Sequence, residues 1–194
     1  FLNSILLGLA MGSGTVFSIR FGQKDLPSLR EGILASFALL GIVTLAHNAA
    51  VFLGADAIIA ALRTPAELVG LTRAYLLIVF SGMIAVFLYN FFASVLRAIG
   101  NSAAPLVFLA VSAVLNIALD LWFVAGLGFG VEGAAAATVI AQYVSALGIA
   151  VYARVRCPAL FRRGQDARLR WSRVREIAGF SALTCLQQSI MNLG

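Results

Sequence analysis

Apolar residues along this chain gather into runs of about twenty, separated by short polar segments rich in glycine, proline and arginine. The first run covers about residues 1–19, the second 32–53, the third 74–96, the fourth 103–125 and the fifth 131–152, and another opens near Ile177. Each run is long enough to cross a hydrocarbon layer of roughly 30 Å as an α-helix. Barrel strands would alternate over about 10 residues, which these runs do not do. The pattern predicts an all-α, polytopic transmembrane helix bundle.

Punctuation supports those boundaries. Gly100-Asn101-Ser102-Ala103-Ala104-Pro105 reads as a turn followed by a helix start, with Ser102 as the expected N-cap. Gly126-Leu127-Gly128-Phe129-Gly130-Val131-Glu132-Gly133 predicts a tight connection in which glycines take positive φ. The bare segment Ala134 to Thr138 then lets the fourth and fifth spans pack closely as an antiparallel hairpin.

Composition agrees: 61% of residues are hydrophobic, 11% are charged and the mean hydropathy is +0.98. These values lie far from those of soluble domains. Cys157 and Cys185 fit neither a metal-ligand spacing nor a disulfide framework and read as small apolar residues. No charged segment precedes Phe1-Leu2-Asn3-Ser4-Ile5, so the start is a poor signal peptide. The chain starts and stops inside apolar runs, so a longer parent protein is expected.

The net charge of +6 is one-sided. Connections after the first, third and fifth spans carry Arg20, Lys24, Arg30 and Arg97, then Arg154, Arg156, Arg162, Arg163, Arg168, Arg170, Arg173 and Arg175. The opposite side has Arg63 and Arg73. The positive-inside rule places the basic side in the cytoplasm. Beside a span, the basic run at 154–176 reads as a topology signal touching anionic lipid, not as a nucleic-acid site. Arg168 to Glu176 is expected as a surface helix within a linker.

Within the spans, polar residues fall on single helix faces. Ser112, Asn116 and Asp120 share one face of the fourth span. Thr138, Gln142 and Ser145 do so on the fifth, and Asn90, Ser94 and Arg97 on the third. Such faces should turn from lipid toward the bundle interior or a wet cavity. At 1.5 Å per residue, Asp120 and Thr138 share a level roughly 7–11 Å below the non-basic side, with Asn116 a turn deeper and Asn90 deeper again.

An ionised carboxylate at that depth costs roughly 2.5–3.5 kcal/mol on insertion scales. Carboxylate, amide oxygens and hydroxyl make a hard oxygen shell for a small cation, or a carboxyl that holds a proton. The plainer alternative is a neutral Asp120 acting as structural glue. His47, beside Asn48, is open to three readings: proton relay, helix-helix hydrogen bond or cavity lining. Trp122 reads as an interfacial anchor. The stretch Phe80 to Phe92 reads as either cavity lining or lipid contact. Ser13, within Gly12-Ser13-Gly14, and His47 are the candidates for an intramembrane hydrolase, and neither has a supporting motif.

The ordered pieces Arg97-Ala98-Ile99-Gly100-Asn101-Ser102-Ala103-Ala104-Pro105, Asn116-Ile117-Ala118-Leu119-Asp120 and Gly128 to Thr138 resemble the multidrug and toxic compound extrusion (MATE) family, of the DinF-like bacterial type. Ser18-Ile19-Arg20-Phe21-Gly22 is similar to the end of that family's second helix. The resemblance implies helices two to six and the opening of helix seven of a twelve-helix, two-lobed transporter. Residues 1–153 would then belong to the first lobe, 154–176 to the inter-lobe linker and 177–194 to the start of the second lobe.

The resemblance also implies a multi-pass protein of the bacterial inner membrane that is a transporter and not an enzyme. It would export organic, often cationic, compounds by alternating access, driven by Na+ or H+, with no cofactor. Its partners would be the small organic substrate, the bilayer and the second lobe. Residues matching the family's cation site are Asn90, Asn116, Asp120 and Thr138, with a further acid on helix one. A flippase for lipid-linked sugars shares the helical plan and is the alternative within the superfamily.

Overall fold

A computed structural model describes residues 2–161 and 171–191. Phe1, residues 192–194 and the part of the basic linker holding Arg162, Arg163, Arg168 and Arg170 lie outside the described residues. Among the described residues every regular element is helical. The helices are α1 (Leu2–Gly22), α2 (Leu26–Ala61), α3 (Val69–Ser81), α4 (Met83–Ala98), α5 (Ala103–Asp120), α6 (Gly130–Arg156), the short α7 (Pro158–Phe161) and α8 (Trp171–Met191). Among the described residues, four helical segments (26–61, 66–98, 103–126 and 130–156) are long and apolar enough to cross a bilayer.

Several boundaries differ from the expected runs, each for a local reason. α2 has 36 residues and starts earlier than its apolar run, because the Asp25 carboxylate accepts the Ser28 backbone N–H while Pro27 occupies the first turn. The expected third span is two helices, broken at Gly82 between α3 and α4. α5 is capped not by the Ser102 side chain but by Asn101, whose Oδ1 accepts the Ala104 N–H at 3.1 Å. Residues 171–176, expected in a separate surface helix, continue directly into α8. An ion pair between Arg20 and Glu176 at 2.7 Å, and burial of Ile177 beside Val16 and Ala35, hold that turn against α1 and α2.

The α5–α6 hairpin forms as the glycines foretell, with φ of +68° at Gly128 and +57° at Gly130. α5 packs mainly on α6 and leaves Leu106, Val107, Val114 and Ile117 exposed, an apolar face suited to lipid. The aromatic stretch of α4 divides: Tyr89 lines a cavity, while its phenylalanines go to the core. Phe87, Phe91 and Phe92 are buried in the main core, where Phe91 meets Phe17 at 6.5 Å and Phe37 at 5.1 Å between ring centroids. These edge-to-face contacts join α4 to α1 and α2.

The most extensive helix pair among the described residues is α1 with α8. Gly12 permits it: a Cβ there would lie 2.6 Å from Ser181 Cα and 2.8 Å from its backbone nitrogen. Close approach through small residues is how helices adhere in lipid, where no hydrophobic force draws them together. Backbone cannot yield as a flexible side chain can, so Gly12→Val should cost about 1–3 kcal/mol by overpacking. Thermal unfolding in detergent should show a clear loss for Gly12→Val and little change for Gly22→Ala, where nothing lies within 4 Å. Equal stability of the two variants would contradict this packing.

Candidate functional site

The α5–α6 register sets the site. Ser145 Oγ donates to Phe108 O at 2.9 Å, Ser112 Oγ to Ala141 O at 3.1 Å, and Asn116 Nδ2 to Thr138 Oγ1 at 3.2 Å. Each step moves four residues up α5 and three or four back along α6, as two antiparallel helices require. Two of the three polar faces expected from the sequence thus meet along one seam. Continued by a turn, the register places Ala134 opposite Asp120.

Thr138, expected level with Asp120, therefore pairs with Asn116 one turn deeper. The Thr138 hydroxyl spends its proton on Ala134 O at 3.0 Å and offers its lone pairs to the Asn116 amide. Asn116 Oδ1 is left as the open acceptor of that pair. Asp120 closes α5 one turn further along, half-buried, and its Oδ1 is enclosed without a hydrogen-bond partner. Residues 121–126 immediately after it form a π-helical turn, in which Trp122 is exposed. Widened turns of this kind recur at functional sites, because they re-aim the residues beside them. No feature of the local sequence announces this one.

Asn90 stands apart from the other three. Its Nδ2 donates to Val86 O at 2.9 Å within α4. It lines a cavity of about 240 Å³ between α4, α5 and α6, together with Ala85, Val86, Tyr89, Leu109, Ser112, Gln142 and Ser145. Ser112 and Asp120 are two turns apart on α5, about 12 Å along the axis. The expected face Asn90, Ser94, Arg97 divides between two cavities. Ser94 and Arg97 line another, of about 230 Å³, with Met11, Gly14, Thr15, Ser18 and Ala98 at the basic end of α1 and α4.

The residues singled out for other chemistry are placed separately. Ser13 is buried and donates its hydroxyl proton to Leu9 O at 2.8 Å, within its own helix. The His47 ring lies 5.9 Å from that of Phe80, and its Nε2 is buried without a hydrogen bond. Of the three readings of His47, none gains a polar contact through that nitrogen. Sequence reasoning passed over Gly82, Tyr89 and Tyr143. Tyr143 Oη donates to Ser81 O at 2.9 Å, satisfying a carbonyl that the break between α3 and α4 leaves open.

Comparison with known proteins agrees with this architecture. The MatE family model matches residues 1–122. The chain is 35% identical over 144 residues to the probable multidrug resistance protein YpnP of Bacillus subtilis, covering 74% of this chain and 32% of that protein. It is 33% identical over 159 residues to the DNA damage-inducible protein F of Escherichia coli, covering 76% of this chain and 32% of that protein. It thus spans about a third of the length of the curated relatives it matches.

Among solved structures, an outward-facing multidrug resistance MATE family transporter of the MOP superfamily superposes with a TM-score of 0.89. The identity is 24%, over 99% of this chain and 43% of that one. An inward-facing one gives a TM-score of 0.85 at 23% identity, over 96% of this chain and 43% of the other. At that identity the likeness speaks for the fold. With the family model covering most of the chain, this multi-pass membrane protein belongs to the MatE, or multidrug and toxic compound extrusion, family.

Proposed function

We propose that this chain supplies most of the first lobe, and the start of the first helix of the second lobe, of a cation-driven exporter of organic compounds. The relatives named as multidrug resistance and multidrug export proteins support the substrate class. The basic end, with Arg20, Arg97, Arg154 and Arg156, faces the cytoplasm by the positive-inside rule. Asp120 then lies toward the outer side of the bacterial inner membrane.

The observation that carries the coupling is the unpartnered, buried Oδ1 of Asp120. One carboxyl oxygen enclosed by protein and given no donor is open to a proton or a cation, since a buried polar atom without a partner is costly. For Na+, Asp120 and the open Asn116 Oδ1 are the first oxygens of the shell, and Thr138 holds Asn116 in place. Asn90 bonds within its own helix and lines the cavity beside Ser112, so it is left out of that first shell. A helix-one acid, as the family resemblance implies, would supply a further oxygen.

Export follows if the two access states differ in affinity for the cation. Binding at Asp120 stabilises one state, release allows the other, and each can bias the substrate-binding equilibrium by about 1–3 kcal/mol. In the full-length transporter, Asp120→Asn keeps size and hydrogen bonding but removes the titratable charge. Gradient-driven efflux from proteoliposomes should fall at least tenfold with expression unchanged; retained efflux would overturn the assignment. Asn116→Ala should raise the cation concentration for half-maximal transport several-fold and leave expression nearly intact. An unshifted cation dependence would remove Asn116 from the shell.

A further inference from the structure

The cavity between α4, α5 and α6 has an unusual hydrogen-bond balance. Four polar side chains around it have already spent protons elsewhere: Tyr89 Oη on Pro105 O at 2.8 Å, Ser112 on Ala141 O, Ser145 on Phe108 O, and Asn90 Nδ2 on Val86 O. What they turn to the cavity is chiefly oxygen lone pairs, three from hydroxyls and one from the Asn90 amide oxygen. The remaining polar side chain, Gln142, has no hydrogen-bond partner among the described residues, and no acid or base lines the space.

The absence of a side chain at Gly82 leaves room for the end of Gln142. A Cβ at Gly82 would lie 2.6 Å from Gln142 Oε1 and 3.0 Å from Val139 Cγ2. The break between α3 and α4 therefore admits the Gln142 amide into the helix seam. Tyr143 Oη, the next residue on α6, takes the Ser81 carbonyl that the break frees. Neighbouring side chains of α6 thus serve the two consequences of one break.

We propose that this cavity is a second cation station, a hydrated acceptor site about two turns from Asp120 toward the basic end, through which the coupling cation passes on its way to or from the carboxylate. This rests on the reading of Asp120 as the coupling acid. The Asn90 and Gln142 amides keep N–H donors as well, but the lining holds no charge, and a small cation brings the positive charge that its amide and hydroxyl oxygens can coordinate. A neutral shell of amide and hydroxyl oxygens holds an ion more weakly than a carboxylate does. Weak binding is what a transit site needs, since an ion must enter and also leave. The Asn116–Thr138 pair stands between the cavity and Asp120, one helical turn from Ser112 and one from the carboxylate.

The test uses the full-length transporter with Cys157 and Cys185 replaced by serine. Ser145→Cys places a thiol on the cavity wall, and Val144→Cys places one on the exposed apolar surface one residue away. Ag+, a monovalent cation of similar size to Na+, serves as the probe, and maleimide labelling after denaturation counts the thiols it has not bound. Ag+ should protect Ser145→Cys at least tenfold faster than Val144→Cys; equal rates would overturn the proposal.

A second arm concerns passage. Gln142→Met keeps the volume but removes the amide, and should lower turnover at least tenfold with substrate affinity unchanged. Gln142→Glu, which keeps an acceptor oxygen, should retain turnover. If Asp120→Asn abolishes transport while Gln142→Met turns over normally, the station falls and the coupling site stands. If Asp120→Asn transports normally, the coupling reading falls first.

Discussion

Inside a bilayer no water completes a hydrogen bond, so each polar group must find its partner in the protein. Several hydroxyls among the described residues meet that demand locally. Ser13, Thr15, Ser18, Thr44 and Thr184 each donate to the carbonyl four residues earlier in their own helix. Ser112, Ser145 and Asn116 instead cross to α6 or to α5, and their bonds fix how those helices face each other. Against that background of satisfied groups, the buried oxygen of Asp120 is conspicuous. Ser36 Oγ, His47 Nε2 and Asn48 Oδ1 are likewise buried without a partner among the described residues, but of these four atoms only that of Asp120 belongs to a carboxyl.

The seam between α5 and α6 links fold to site. Gly128 and Gly130 turn the chain tightly, and the alanines that follow bring α6 close to α5. The register this imposes pairs Asn116 with Thr138 and leaves Asp120 a turn beyond, beside the widened π turn. On the other side of α6, Gly82 gives the room that Gln142 fills. Small residues thus decide where large polar ones can stand. α8 follows the same logic, since Gly12 and Ser181 let it approach α1 to backbone contact.

Much of this was legible in the sequence because periodicity and depth are set by simple geometry. The apolar runs located the helices, and spacing by four put Asn116 and Asp120 on one face. The Gly-rich segment before Glu132 announced the hairpin. Other features escaped because they depend on partners distant in sequence. The break at Gly82 lies inside an uninterrupted apolar run and is explained only by Gln142 and Tyr143 on α6. Thr138 pairs with Asn116 because of the register between α5 and α6, which arithmetic along single straight helices does not fix. Arg20, far from Glu176 in sequence, draws into α8 a segment whose charge suggested a separate surface helix. The phenylalanines of α4 looked suited to lipid or cavity, yet Phe17 and Phe37 on neighbouring helices bury them.

The central claim is that the Asp120 carboxyl changes its protonation or cation occupancy as the transporter works. Difference infrared spectroscopy of the full-length protein reads this directly, by comparing spectra with and without the driving cation. The account predicts a carboxyl band that appears or vanishes with the cation and is missing in Asp120→Asn. A carboxyl signal that is insensitive to the cation, or that persists unchanged in Asp120→Asn, would contradict it.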